Sequence, residues 1–169
     1  MKRLRHNIFT EEAGWQYALK LLGIRQRSEQ EINTALQKKG YSQELTIAII
    51  NRLKAANLLD DRQFAYNWTN YRLSNRLVGR NRLKNELRQH GISASLAEEV
   101  VSTVLTDAIE LDNAWILAQR YHQRPNESTF RYCQRLARFL QQRGFSNSII
   151  SQVLKKVAAN NLIDSDDLI

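Results

Sequence analysis

The chain has 169 residues, a formal net charge of +8 at pH 7, a single proline and a single cysteine. One cysteine excludes a disulfide framework within a monomer, and no stretch approaches the roughly 20 apolar residues of a transmembrane helix. The composition favours an all-helical protein, because no alternating apolar run is long enough for a sheet. A lone thiol also fits the reducing cytoplasm, where we expect this protein to act.

The first predicted unit covers residues 10–59 and contains three helices. A first helix carries Trp15 and further apolar residues at helical spacing. Ser28 to Glu31 has the spacing of a capping box and begins a second helix. That helix is predicted to end at Gly40, where glycine can adopt the left-handed conformation, and Ser42 then caps the third helix.

The same pattern occurs three times along the chain. Each copy reads Leu-x-x-x-Gly, one apolar residue, then Ser, and the glycines are Gly40, Gly91 and Gly144. Apolar residues follow each glycine at the fifth, ninth and thirteenth positions and form one helical stripe. Repetition at a nearly constant spacing indicates stacked units that form an extended body with a binding surface rather than a catalytic pocket. We therefore predict a second three-helix unit over 60–107 and a third over 108–163.

Each unit has one tryptophan at a similar place, namely Trp15, Trp68 or Trp115. Large aromatic residues at helical spacing are usually packing residues, so we predict that the three tryptophans anchor the cores. In the second unit Trp68 shares its spacing with Tyr71. Cys133 falls on an apolar helix face and is predicted to be a buried thiol rather than a nucleophile.

Positive charge is concentrated in two segments. Residues 62–91 contain seven Lys or Arg against one acidic residue, and residues 115–143 contain six arginines against one glutamate. Within these segments Arg72, Arg76 and Arg80 are four residues apart, and a second set lies on one face of a later helix. Such stripes are compatible with a solvated helix face, but arginine suits phosphate and carboxylate partners better than solubility requires.

Catalytic signatures are missing from the sequence. The histidines are scattered, and there is no metal-ligand spacing, phosphate-binding loop or serine elbow. Asp60 and Asp61 could bind magnesium as a pair, but adjacent side chains diverge, and capping the helix that contains Phe64 is the more economical role for one of them. We expect no catalytic residue, no metal and no cofactor.

A glycine turn between two helices is also compatible with a helix-turn-helix motif that reads DNA bases. The segment Ser93 to Glu99 offers little for such a role, because its first turn lacks Asn, Gln or Arg. Any DNA contact is therefore expected to involve backbone phosphates.

Four groups of motifs along the chain belong together. They are Ala18-Leu19-Lys20-Leu21-Leu22 with Arg25, Arg27, Ser28 and Glu31, then Leu58-Leu59-Asp60-Asp61 with Phe64-Ala65, then Gly79 with Leu83, Glu86-Leu87 and Gly91-Ile92, and finally Arg135, Phe139-Leu140 and Arg143-Gly144-Phe145. Together these motifs resemble the RecX family of bacterial regulatory proteins. The resemblance extends from about Trp15 to Val157 and is most specific between Leu58 and Ile92.

The resemblance implies an all-α protein of three tandem three-helix repeats in an elongated, curved arrangement. It further implies that the protein binds the recombinase RecA along the groove of its filament on DNA, limits filament extension, and lowers strand exchange, ATP hydrolysis and co-protease activity. The family has no active-site motif, and Asp60, Asp61, Phe64, Gly79, Glu86 and Gly91 are expected to be structural. We expect the basic residues to contact RecA or DNA: Arg72, Arg76, Arg80, Arg82, Lys84, Arg88, Arg131, Arg135 and Arg138.

Two hypotheses remain open at this point. In the first, the chain is a monomeric regulator whose partner is the RecA filament and which can also contact the phosphates of single- or double-stranded DNA. In the second, it is a sequence-nonspecific nucleic-acid-binding protein whose helical units are only a scaffold. Neither hypothesis involves a membrane.

Overall fold

The computed structural model of the chain describes residues 9 to 166, with side chains to residue 159. This part contains nine α-helices and no strand, which confirms the all-α prediction. The predicted limit at residue 163 and the scattered His6 lie outside the described side chains. The helices are α1 (Glu11–Ile24), α2 (Glu29–Lys39), α3 (Gln43–Ala55), α4 (Asp61–Asn75), α5 (Arg80–Gln89), α6 (Ala94–Val104), α7 (Asp107–Gln119), α8 (Thr129–Gln142) and α9 (Asn147–Asp166).

Polar side chains fix where most helices begin. The predicted caps Ser28, Ser42 and Asp60 each accept a hydrogen bond from a backbone N–H in the first turn of the following helix. Such bonds satisfy donors that have no partner inside the helix. Helix α5 differs, because its cap position is Gly79 and has no side chain to offer.

The three repeated glycines end three helices in the same way. Gly40, Gly91 and Gly144 have φ angles of +105°, +85° and +84°. In each unit the N–H of the residue after the glycine donates to the carbonyl of the leucine four residues before the glycine, at 3.1 to 3.2 Å. This is the Schellman motif, and its left-handed residue explains why glycine recurs there.

Three separate hydrophobic cores hold the molecule together. The first unit (α1 to α3) surrounds Ile32, the second (α4 to α6) surrounds Leu83, and the third (α7 to α9) surrounds Leu136, all three fully buried. The three tandem three-helix repeats are thus confirmed. Among the described residues, the hydrogen bonds between units join the first to the second and the second to the third, so the units lie in a row.

The aromatic predictions hold in part. Each tryptophan packs against the core of its own unit, but all three are only partly buried. Tyr71, which shares the helical spacing of Trp68, is 61% exposed and does not belong to the core. Cys133 lies at the edge of the third core and is half-buried rather than buried. That partial burial raises the pKa of its thiol, as expected for a packing residue.

Candidate partner-binding surface

The units meet at two joints that share one design. At each joint, the beginning of the second helix of one unit lies against the glycine turn that follows the second helix of the next unit. The first joint brings Ser28 to Glu31 against His90 and Gly91. The second joint brings Gly79 to Arg82 against Arg143 and Gly144. At both joints, the first helix of the next unit supplies a carboxylate. This carboxylate accepts a hydrogen bond from a backbone N–H at the start of the second helix of the preceding unit.

At the first joint that carboxylate is Asp61, which accepts the N–H of Glu29 at 2.8 Å. Burial raises the pKa of Asp61 above its ordinary value. The hydroxyl of Ser28 donates to the carbonyl of His90 at 2.5 Å, so the side chain that caps α2 also joins the two units. Asp60 and Asp61 are therefore structural groups, one within its own unit and one between units.

A carboxylate also lies between two basic groups of the first joint. Glu31 accepts two hydrogen bonds of 2.9 Å from the guanidinium of Arg25 and contacts Nδ1 of His90 at 2.9 Å. Burial raises the pKa of Glu31, but the bonds from Arg25 and His90 outweigh it, and the pKa lies below its ordinary value. The charge of Arg25 is thus neutralised by Glu31 within the protein.

At the second joint the capping carboxylate is Glu110, which is fully buried. One of its oxygens accepts the backbone N–H groups of Arg80 at 3.0 Å and Ser146 at 3.2 Å, and the other accepts Nε of Arg80. Backbone groups complete the joint, since Gly79 donates to Arg143 at 3.0 Å. A Cβ on Gly79 would lie 2.3 Å from the backbone of Phe145, so only glycine fits there.

Three of the nine predicted contact residues are bound inside the protein. The guanidinium of Arg72 donates two hydrogen bonds of 2.7 Å to Glu86, and both side chains are less than one fifth exposed. Arg80 pairs with Glu110 and Asp107. Arg135 donates to Glu127 at 2.9 and 2.7 Å and lies 4.5 Å from the ring centre of Tyr121. Such pairs with good geometry stabilise the units, which limits what these arginines can offer a partner.

Of the six remaining predicted residues, five are exposed, whereas the side chain of Lys84 is only 20% exposed. Lys84 pairs with Glu98 at 2.8 Å and Arg82 with Glu86 at 3.1 Å, and both pairs include one largely exposed side chain. Arg76, Arg88, Arg131 and Arg138 are exposed, and none of these four makes an ion pair within the described part of the chain.

The predicted stripe of Arg72, Arg76 and Arg80 on one helix is wrong. Helix α4 ends at Asn75, and Arg76 has an extended backbone with φ −149° and ψ 137°. Beyond the helix end, Val78 is buried in the second core and Gly79 lies against Phe145 at the second joint. Arg80 then begins α5 and pairs with Glu110, so the three arginines lie in three different environments.

The fold gathers arginines from separate elements into one surface depression of about 430 Å³, which we call the arginine cleft; it is lined by Arg72, Arg76, Val78, Arg82 and Arg143. Arg143, which precedes the turn glycine of the third unit, was not among the contact residues predicted from the sequence. The repeat spacing held a signal for it, because His90 precedes the glycine of the second unit in the same way.

Between residues 9 and 159 no group of three or more His, Cys, Asp and Glu side chains is arranged to hold a metal ion. Within the described helices, none is both long and apolar enough to cross a membrane. The expected structural residues Phe64, Glu86 and Gly91 lie in a core, in an ion pair and in a turn.

Known proteins are similar to this chain over nearly its whole length. Models of the first, second and third three-helix domains of RecX match residues 15–53, 60–101 and 108–154. The regulatory protein RecX of Mycolicibacterium smegmatis is 31% identical over 158 residues, which cover 89% of this chain and 82% of that protein. The regulatory protein RecX of Prosthecochloris aestuarii is 32% identical over 148 residues, which cover 85% and 92%.

A solved structure has the same fold. The crystal structure of RecX from Lactobacillus salivarius superposes with a TM-score of 0.82 and covers 88% of this chain and 97% of that one. At 22% sequence identity this likeness concerns the fold alone.

Proposed function

This chain belongs to the RecX family of regulatory proteins, and from that premise we propose that it is a negative regulator of the RecA recombinase. It binds as a monomer along the groove of the RecA–DNA filament in the cytoplasm. Bound there, it limits filament extension, strand exchange, ATP hydrolysis and co-protease activity.

One observation carries the proposal: each joint fixes consecutive units through buried or partly buried polar contacts. The bond from Ser28 to the carbonyl of His90 and the bonds of Glu110 with Arg80 hold the row of units in a defined geometry. A row of fixed units can match a repeating protein surface over several protomers, because each unit is held at a set position relative to its neighbour. The exposed arginines then supply positive charge that attracts acidic protein surfaces and DNA phosphates.

The test is the ATPase activity of RecA on single-stranded DNA, with this protein titrated well below one molecule per RecA protomer. The proposal expects strong inhibition in that range, because one molecule spans several protomers and blocks extension. Inhibition that begins only when there is enough protein to coat the DNA would contradict it.

The second candidate is a sequence-nonspecific nucleic-acid-binding protein, which the exposed Arg76, Arg88, Arg131 and Arg138 favour. Such a protein binds by releasing counterions from phosphates, so the logarithm of its affinity for duplex DNA falls with the logarithm of salt, with a slope of about −0.9 for each phosphate neutralised. Under this alternative, inhibition of RecA disappears together with DNA binding as salt is raised. Inhibition that persists at salt concentrations that abolish DNA binding supports the regulator.

A further inference from the structure

The two joints place residues of opposite charge at one corresponding position. Arg25 and Arg76 each follow the first helix of a unit, with extended backbones. His90 and Arg143 each precede the turn glycine of the next unit. The third residue of the second helix is Glu31 in the first unit and Arg82 in the second.

In the first joint the carboxylate of Glu31 neutralises Arg25 and contacts His90. In the second joint Arg82 stands in its place, and a fourth cation, Arg72, lines the same cleft. The only carboxylate bonded to these arginines within the described residues is Glu86, which accepts from Arg72 and Arg82. The arginine cleft therefore has four positive charges against one negative charge.

Several donors of the cleft are left for a ligand. Arg72 uses Nε and one Nη nitrogen on Glu86, and a guanidinium has five N–H groups in total. The guanidinium of Arg143 lies over the ring of Phe139 at 5.1 Å, a contact that positions it without using a hydrogen-bond donor. The backbone bonds from Gly79 to Arg143 and from Asn81 to Gly144 fix the two walls of the cleft.

We propose that the arginine cleft binds a phosphodiester group of a DNA strand, which takes the place that the carboxylate of Glu31 has in the first joint. Planar guanidinium groups from separate elements suit the oxygens of a phosphate. A single protein carboxylate would offset one of the three excess charges, whereas a DNA strand brings neighbouring phosphates as well. The inference rests on the proposed function, in which the protein bound to the filament lies close enough to the DNA to contact it.

The decisive variant is Arg82→Glu, which copies the first joint into the second and supplies an internal carboxylate to Arg76 and Arg143. Its matched control is Arg120→Glu, which makes the same charge change on an exposed residue outside the cleft. Binding is measured by fluorescence anisotropy of a labelled 15-nucleotide thymidine strand over a range of salt, without RecA. Circular dichroism and the melting temperature report folding.

We expect Arg82→Glu to lower DNA affinity about tenfold at low salt and to reduce the magnitude of the salt slope by about 0.7, the value for one phosphate of a single strand. Arg120→Glu should change affinity by about twofold through net charge alone. Equal losses in the two variants would overturn the proposal. So would unchanged DNA binding by Arg82→Glu, and if RecA filament binding were lost in that case, the cleft would instead take a protein carboxylate.

A second variant keeps the test valid if Arg82→Glu fails to fold. Arg76→Gln removes one exposed cation of the cleft and adds no charge, and Arg120→Gln is its control. Arg76→Gln should lower DNA affinity by about threefold more than its control. A ratio of one would overturn the proposal. Because DNA binding is measured without RecA, failure here leaves the ATPase test of the proposed function unaffected.

Discussion

The first and second joints solve the same packing problem with different chemistry. At the first, the charged carboxylate is Glu31, which is partly exposed and bonds to Arg25 and His90. The second uses a fully buried carboxylate, Glu110, with two backbone N–H groups and Arg80 around it. The second joint therefore carries its stabilising charge inside and leaves arginines unneutralised at the surface. A residue's role in this protein therefore depends on which joint it belongs to, even where the backbone is repeated.

The largest expected effect on stability comes from Glu110 at the second joint, compared with Glu31 at the first. Glu110→Ala removes the buried partner of Arg80 and leaves buried N–H groups without an acceptor, so we expect a loss of about 3 to 5 kcal/mol in the free energy of unfolding. Glu31→Ala at the first joint should cost about 1 to 2 kcal/mol, because its partners remain hydrated. Urea denaturation followed by circular dichroism measures both. Equal losses would contradict the distinction between the joints.

The next effect concerns the backbone of the second joint. Gly79→Ala places a Cβ about where the backbone of Phe145 lies, and the backbone cannot move aside as a flexible side chain would. We expect a loss of about 1 to 3 kcal/mol from overpacking. Gly23→Ala is the control, since nothing lies within 4 Å of its Cβ position in α1, and it should gain up to about 1 kcal/mol. A neutral Gly79→Ala would show that the second joint is loose.

The sequence was sufficient for what depends on near neighbours. The caps Ser28, Ser42 and Asp60 and the turn glycines act within four residues along the chain, so their spacing alone predicts the helices. The repeat then predicts three units. The resemblance of the motifs to the RecX family agrees with the domain models that match all three.

The joints were not predictable in this way, because their partners are far apart in sequence. Glu110 and Arg80 are 30 residues apart, and nothing next to Glu110 marks it as a buried residue. The charge pattern likewise placed Arg72, Arg80 and Arg135 on a binding surface, since a count of arginines does not reveal the carboxylates that fold against them. Their role in binding stays a prediction.

A smaller effect tests whether Ser28 does more than cap a helix. Ser28→Ala removes the acceptor for the N–H of Glu31 and also the bond to the carbonyl of His90, so we expect a loss of about 2 kcal/mol. Ser93 caps α6 in the same way and has no bond to another unit among the described residues, so Ser93→Ala should cost about 1 kcal/mol. The measurement is again urea denaturation. If the two variants lost the same stability, the bond between Ser28 and His90 would contribute nothing to the first joint.

The smallest effect is the pH dependence of the first joint. The pKa of Glu31 is lower in the folded protein than its ordinary value of 4.5, so its contribution to stability is present above pH 4.5 and is lost as the pH falls through the folded pKa. Asp61 acts in the opposite direction, because its raised pKa favours the protonated form on folding.

The contribution of Glu31 is isolated by the difference in unfolding free energy between the unmodified protein and Glu31→Gln. This difference should shrink by up to about 1 kcal/mol on acidification. Arg76 is the second-joint counterpart of Arg25 and has no ion pair among the described residues, so Arg76→Gln should run parallel to the unmodified protein over the same range. A parallel line for Glu31→Gln as well would mean that the carboxylate of Glu31 does not neutralise Arg25 in solution, and that the electrostatic contrast between the two joints is absent.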